Sequence, residues 1–269
     1  MRRKTLLVMG IIAVLFLAFW GLLLHYETHM TIPQGMSGTA DYLMTEMGLQ
    51  FSSMLLALLT IMLAAGTIAS DLDTGLVHGI LSRPISRLQY VLGKLGGLAV
   101  MTIAASTVFY VLFLAIGAVF GLSTITALTL WQLIGGWLLF LTAPLAVLCL
   151  TLWGSVRFKT VPNGILMIFI YILGNIGGMV EMVGQLLNSR TINSAGIVIS
   201  LISPFHVLYV ICQNVLLPSA NILQNAAQLA GGLTGGGAAP SPWMYLYIAL
   251  YALAFIALAV HGFAKKDIA

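Results

Sequence analysis

Asp71-Leu-Asp-Thr-Gly-Leu-Val-His-Gly-Ile-Leu-Ser-Arg-Pro-Ile-Ser-Arg87, followed by Gly93-Lys94, interrupts two long apolar stretches. Asp71–Lys94 holds two acids and three bases in a chain where only 7% of residues are charged. On either side, Phe51–Ser70 and Leu95–Phe120 are apolar runs long enough to cross a hydrocarbon core of roughly 30 Å, which takes about 20 helical residues. A charged segment between two such runs is a loop at a membrane face. The fold class that follows is all-α and membrane-integral.

The rest of the chain agrees. Its 269 residues are 60% hydrophobic, and the mean hydropathy is +1.06. That leaves too little polar surface for a soluble protein and no room for a separate soluble domain. Residues 1–269 therefore read as a single transmembrane domain. The net charge of +4 is more informative by placement than by total, because Lys and Arg gather on the cytoplasmic side of membrane proteins. It is no sign of a nucleic-acid partner. Cys149 and Cys212 lie in apolar stretches without Cys-x-x-Cys spacing and read as small buried hydrophobes.

Six spans are expected, at about 5–24, 51–70, 95–120, 129–153, 163–184 and 245–262. The first follows Arg2-Arg3-Lys4 and lacks a signal-peptide cleavage site, so it reads as retained. Residues 26–50 carry Glu27, Asp41 and Glu46 but no base, and read as an outer loop. Residues 121–128 are an outer turn, 154–162 an inner loop, and Pro144 a kink in the fourth span. On this arrangement ten of the eleven bases share one side, and only Arg190 lies opposite. Both termini are then expected inside the cell membrane.

Residues 196–217 are apolar but broken at Ser203-Pro204, leaving two halves too short to cross. A seventh span would also put Lys265 and Lys266 outside. The segment reads as a re-entrant helical pair before the last span. Irregular backbone at such depth must be buried in protein or line a cavity. The Gly-rich residues 218–242 read as an outer linker.

Within the charged loop 71–94, Asp71, Asp73 and Thr74 can cap a short helix or complement its dipole. Arg83-Pro84 would end that helix, since proline cannot continue the hydrogen-bond ladder. Ser86 can cap the next helix, with Arg87 and Lys94 at headgroup level. On this physics alone, an ordinary inside-positive loop competes equally with a rigid helix-turn that displays charge to a partner.

The loop resembles the signature of the ABC-2 family of transporter permeases. That pattern is roughly Glu-Arg-Glu-x-Gly-Thr-Leu, then Ser-Arg-Pro-Ile-Ser-Arg and a Gly-Lys. Asp71, Asp73, Gly75, Ser82, Arg83, Pro84, Ile85, Ser86, Arg87, Gly93 and Lys94 match in register, whereas Asp71 replaces Glu and Leu76 replaces Thr. The small six-span members include permeases for antibiotic or bacteriocin export and for nitrous-oxide-reductase maturation.

The resemblance implies a transmembrane subunit, itself non-catalytic, of an exporter. A separate ABC ATPase subunit would bind ATP and Mg, and a second permease subunit, identical or related, would complete the path. Asp71, Asp73, Gly75, Arg83, Pro84, Arg87 and Lys94 would couple to the ATPase, with Arg83 and Arg87 also able to meet anionic lipid. Ser203 and Pro204 would form an outer gate. No Gly-x-x-x-x-Gly-Lys-Ser/Thr phosphate loop occurs in the chain, and no cofactor of its own is expected. Larger relatives carry an amphipathic helix before the first span; with four residues preceding it here, that element is expected to be absent or minimal.

Glu181 is the one acid inside an expected span, and with Asn175 it is a candidate polar path, against an interfacial, solvated reading. Asn163 could join that path or bond across helices. His25, Glu27 and His29 have a metal-like spacing but straddle a helix end without a fourth ligand, so no metal site is expected. The pairs Gly93/Gly97, Gly117/Gly121 and Gly174/Gly178 would allow close helix approach. An ATP-independent carrier is the alternative, but it would need midplane charge that the chain lacks. A membrane scaffold or immunity protein is another.

Overall fold

The computed structural model describes residues 2–29, 37–81, 86–217 and 243–265. Arg83, Pro84, Lys266 and the linker expected at 218–242 lie outside the described residues. Among the described residues every regular element is a helix: α1 (Arg2–His29), α2 (Ser37–Ala64), α3 (Ala69–Asp73), α4 (Leu76–Leu81), α5 (Arg87–Val119), α6 (Ser123–Thr126), α7 (Leu130–Arg157), α8 (Thr160–Leu186), α9 (Arg190–Ile202), α10 (Phe205–Leu216) and α11 (Trp243–Ala264).

Five stretches among the described residues are long and apolar enough to cross a membrane: Ala40–Asp73, Arg87–Val119, Leu130–Arg157, Thr160–Glu181 and Trp243–Ala264. Helix α1 adds the apolar stretch Gly10–Tyr26 and is 28 residues long. The protein is an all-α, multi-pass membrane protein.

The helices are longer than hydropathy suggested, at the expense of the loops. The outer loop expected at 26–50 is a correction: Asp41 and Glu46 lie on α2. The reason is a stripe of buried residues, Tyr42, Thr45, Glu46, Leu49, Ser53, Leu56, Ala57 and Thr60. They recur at three- and four-residue intervals, which is one face of a helix. Polar residues in that stripe lower its hydropathy without breaking its period. Likewise α5 starts at Arg87, so Gly93 and Lys94 belong to a helix rather than to a loop. Ser86 and Gln89 form a reciprocal capping box there, as Gln89 N donates to Ser86 Oγ (3.2 Å) and Ser86 N to Gln89 Oε1 (3.0 Å). The inner loop expected at 154–162 shrinks to residues 158–159, α7 runs unbroken through Pro144, and the outer turn at 121–128 holds the short α6.

Helix α7 is the central post. From Phe140 to Val156 most of its residues are buried, as expected of a helix that is apolar all round. Around it the interior forms three apolar clusters among the described residues. One joins Trp20, Tyr42, Phe113, Phe140 and Leu216. A middle one holds Ala57, Ile61, Val147, Met167 and Leu208. The third joins Ile68, Tyr90, Leu152, Val156 and Phe263, close to Arg87, Lys94 and Arg157, and this is the basic end of the bundle.

Helices α9 and α10 are bent by 97° at their break and do not form a single span. Gly184 of α8 lies against Asn193, Gly177 against Ile199 and Gly174 against Ser203, so α9 descends along α8 from the end opposite the basic one. Helix α10 then returns toward that same end, where Gln213 Nε2 donates to Tyr42 Oη (3.1 Å) and Leu216 packs on Gly136. The pair enters and leaves at one end.

Candidate functional site

At the basic end, α2 is followed by a turn, then α3, a second turn at Gly75, and α4. Gly75 has φ of +70°, a left-handed conformation that glycine adopts without a Cβ penalty, so this position sets the angle between the two short helices. Asp71 is in the first turn of α3 and Asp73 is its last residue. They were expected to cap a helix starting beyond them. Helix α3 begins earlier, because its first amides find an acceptor elsewhere: Ile68 N and Ala69 N both donate to Ser155 Oγ of α7 (3.0 and 3.1 Å).

That leaves Asp71 free to bond outward. It is 6% exposed. Its Oδ2 pairs with Lys94 Nζ at 2.6 Å and accepts from Tyr90 Oη at 2.7 Å. Lys94 also lies over the Tyr90 ring, 5.7 Å from its centroid, and that ring stacks on Phe263 at 5.2 Å. One turn earlier, Arg87 Nη1 donates to the carbonyl of Ala264 at 2.6 Å, where a cation complements the C-terminal end of α11. The first turns of α5 thus clamp α3 on one side and α11 on the other. Asp71 and Lys94 spend their charge on each other, and Lys94 is not a free headgroup contact. Asp73, by contrast, is exposed.

At the inner tip of the helix pair, beside the middle of α8, Ser203 is fully buried, and its hydroxyl finds no partner among the described residues. The carbonyls released by the break are met from α11: Tyr247 Oη donates to Leu201 O, and Tyr251 Oη donates to Ile202 O at 3.3 Å. Pro204 opens α10, and its carbonyl accepts from Leu208 N at 3.1 Å. Of the three expected glycine pairs, Gly174/Gly178 receives the helix pair, against Ser203 and His206. Gly93 and Gly97 face open space, and Gly121 has φ of +73° in a turn.

Glu181 and Asn175 each bond to a different partner. Glu181 accepts from Ser200 Oγ of α9 at 2.5 Å, tying α8 to α9. Asn175 Nδ2 donates to Tyr171 O of its own helix at 3.0 Å. Among the described residues no three His, Cys, Asp or Glu side chains converge as metal ligands would.

Three participants escaped the sequence reading. Tyr90 had a signal: once α5 starts at Arg87, residues 87, 90 and 94 share a face, and the Ser86/Gln89 box marks that start. Glu46 was placed in a loop and is instead 2% exposed on α2, its Oε2 without a partner among the described residues. Its main-chain carbonyl accepts from Tyr209 Oη of α10 at 3.1 Å. Ser155 had no sequence signal, since its partners are 86 and 87 positions away.

The chain was compared with known proteins. Residues 1–175, more than half of it, match the family model described as ABC-2 family transporter protein. The matched stretch includes α1 to α7 and the charged segment, and ends within α8. No curated protein matches the chain.

Proposed function

Because the chain belongs to the ABC-2 transporter family, we propose that it is the permease subunit of an exporter whose ATP hydrolysis is carried out by a separate ABC ATPase. The observation that carries this reading is the clamped α3–Gly75–α4 segment. Mechanical coupling needs an element that projects toward a partner yet cannot deform when pushed. Asp71, Tyr90, Lys94 and Arg87 supply the stiffness, while Asp73 is left exposed for contact.

In this reading the basic end faces the cytoplasm, as the concentration of Lys and Arg favours. The ATPase subunits bind ATP and Mg and close, and their movement displaces α3 and α4. Arg83 and Pro84 belong to the same contact surface, and Arg83 and Arg87 can also meet anionic headgroups. A second permease subunit completes the path, and the pair around Ser203-Pro204 closes it on the outer side.

The test is co-purification and stimulated ATP hydrolysis in lipid. The wild-type chain is expected to retain an ABC ATPase after gentle solubilisation. Asp71→Ala and Arg87→Ala are expected to insert normally and to abolish transport-linked stimulation. Normal transport by both variants would refute the coupling assignment. Transport without any ATPase would favour an ATP-independent carrier.

A further inference from the structure

The joint between α2 and α3, residues 65–68, is held by side chains from two other helices. Asn163, in the first turn of α8, donates through Nδ2 to Ala65 O (2.9 Å) and to Thr151 O of α7 (3.1 Å). Ser155 Oγ receives the first amides of α3. These are the groups that helix ends leave unpaired. Here α8 caps the last carbonyl of one helix, and α7 the first amides of the next. Asn163 and Ser155 are both fully buried.

Space is cleared for this arrangement. A Cβ on Gly154 would overlap Asn163 Oδ1, and one on Gly66 would lie 2.7 Å from Thr160 Cγ2. Asn163 Oδ1 has no partner among the described residues, so the amide is held in place by its two donated bonds alone.

Helix α8 continues from this joint to the opposite end. Its 27 residues extend about 40 Å. Its far half meets backbone of the outer pair at Gly174, Gly177 and Gly184, meets the His206 ring at Gly178, and is tied to α9 by the Glu181–Ser200 hydrogen bond. One rigid element therefore touches the coupling joint at one end and the re-entrant pair at the other.

We propose that α8 is the lever that carries movement of α3 to the outer helix pair, with Asn163 as the positioning residue at its inner end and Ser155, on α7, holding the start of α3 in register beside it. This rests on the permease reading above. Displacing α3 pulls on Ser155 and Asn163. Because α8 is a continuous helix, and its glycines leave α9 and Ser203 packed directly against its backbone, the displacement reaches Ser203.

The experiment uses the permease–ATPase complex in lipid nanodiscs. Spin labels are placed at Val198 on α9 and Trp131 on α7, both exposed. The interlabel distance is measured without nucleotide and after trapping with ATP and vanadate. In the wild type the distance is expected to change on trapping. In Ser155→Ala and Asn163→Leu it is expected not to change, and stimulated turnover should fall on the order of tenfold, the scale of one lost buried hydrogen bond. The KM for ATP should stay the same, because the ATPase site is untouched. Ser155→Thr keeps the hydroxyl and is expected to restore both signals, which separates positioning from a general folding defect. A full distance change in both Ser155→Ala and Asn163→Leu, or no rescue by Ser155→Thr, would overturn the lever. A wild-type chain that neither retains nor stimulates an ATPase would instead overturn the permease reading.

Discussion

Replacing Lys94 by Met should destabilise the protein more than replacing Asp71 by Asn, and the two changes should not add. The asymmetry comes from exposure. The Asp71 side chain is 8% exposed and the Lys94 side chain 24%. Without Lys94, a buried carboxylate keeps the Tyr90 hydroxyl but loses the lysine counter-charge, a loss that costs about 3 kcal/mol or more. Without the Asp71 charge, Lys94 can turn toward water, and Asn can still accept from Tyr90. The cost is then about 1–2 kcal/mol, discounted for the partial exposure of the lysine. In the double variant no charge is left unpaired, so it should lie within about 1 kcal/mol of Asp71→Asn alone. Thermal unfolding in detergent, followed by loss of the monodisperse chromatographic peak, reads these differences. The Lys94→Met midpoint should fall by about 6–12 °C, taking roughly 2–4 °C per kcal/mol for a chain of this size. Equal effects of the two single changes, or a double variant equal to their sum, would refute the clamp as an energetic unit.

Two further outcomes follow from the packing of α8 and the break. Gly174→Ala would place a Cβ 2.6 Å from the Ser203 carbonyl oxygen, a backbone atom that cannot move aside. It should cost about 2–3 kcal/mol, whereas Gly93→Ala faces open space and should stabilise α5 by about 0.5–1 kcal/mol; thermal midpoints of opposite shift test this. Tyr251→Phe removes the donor to Ile202 O and should cost about 1 kcal/mol, seen as faster amide hydrogen exchange confined to residues near 203.

Much of the architecture was legible because lipid imposes a strict length and polarity rule on helices. The re-entrant pair was legible for a related reason: a proline in the middle of a span-length stretch leaves halves that cannot cross. Helix ends were less legible. Hydropathy averages over a window, so the buried stripe containing Tyr42, Thr45 and Glu46 reads as loop, although its period is helical. The same averaging hid the start of α5, where the Ser86/Gln89 box was the better signal. Within the charged segment 71–94, Asp71, Arg87 and Lys94 were identified as important, but as charges displayed to a partner. The structure pairs Asp71 with Lys94 and has Arg87 donate to the end of α11 at an exposed position.

Composition and spacing by themselves determined that the chain is helical, that it crosses a membrane several times, and that its Lys and Arg gather at one end. Each of these depends on transfer of residues between water and lipid, which is a property of the residues taken one segment at a time. Only the tertiary structure decided which groups complete each other: Ser155 with the first amides of α3, Asn163 with the last carbonyl of α2, Tyr247 and Tyr251 with the broken end of α9. A helix end inside a membrane must find a partner, but nothing local says which one. That choice is made by whichever distant side chain the packing of the whole bundle brings within about 3 Å.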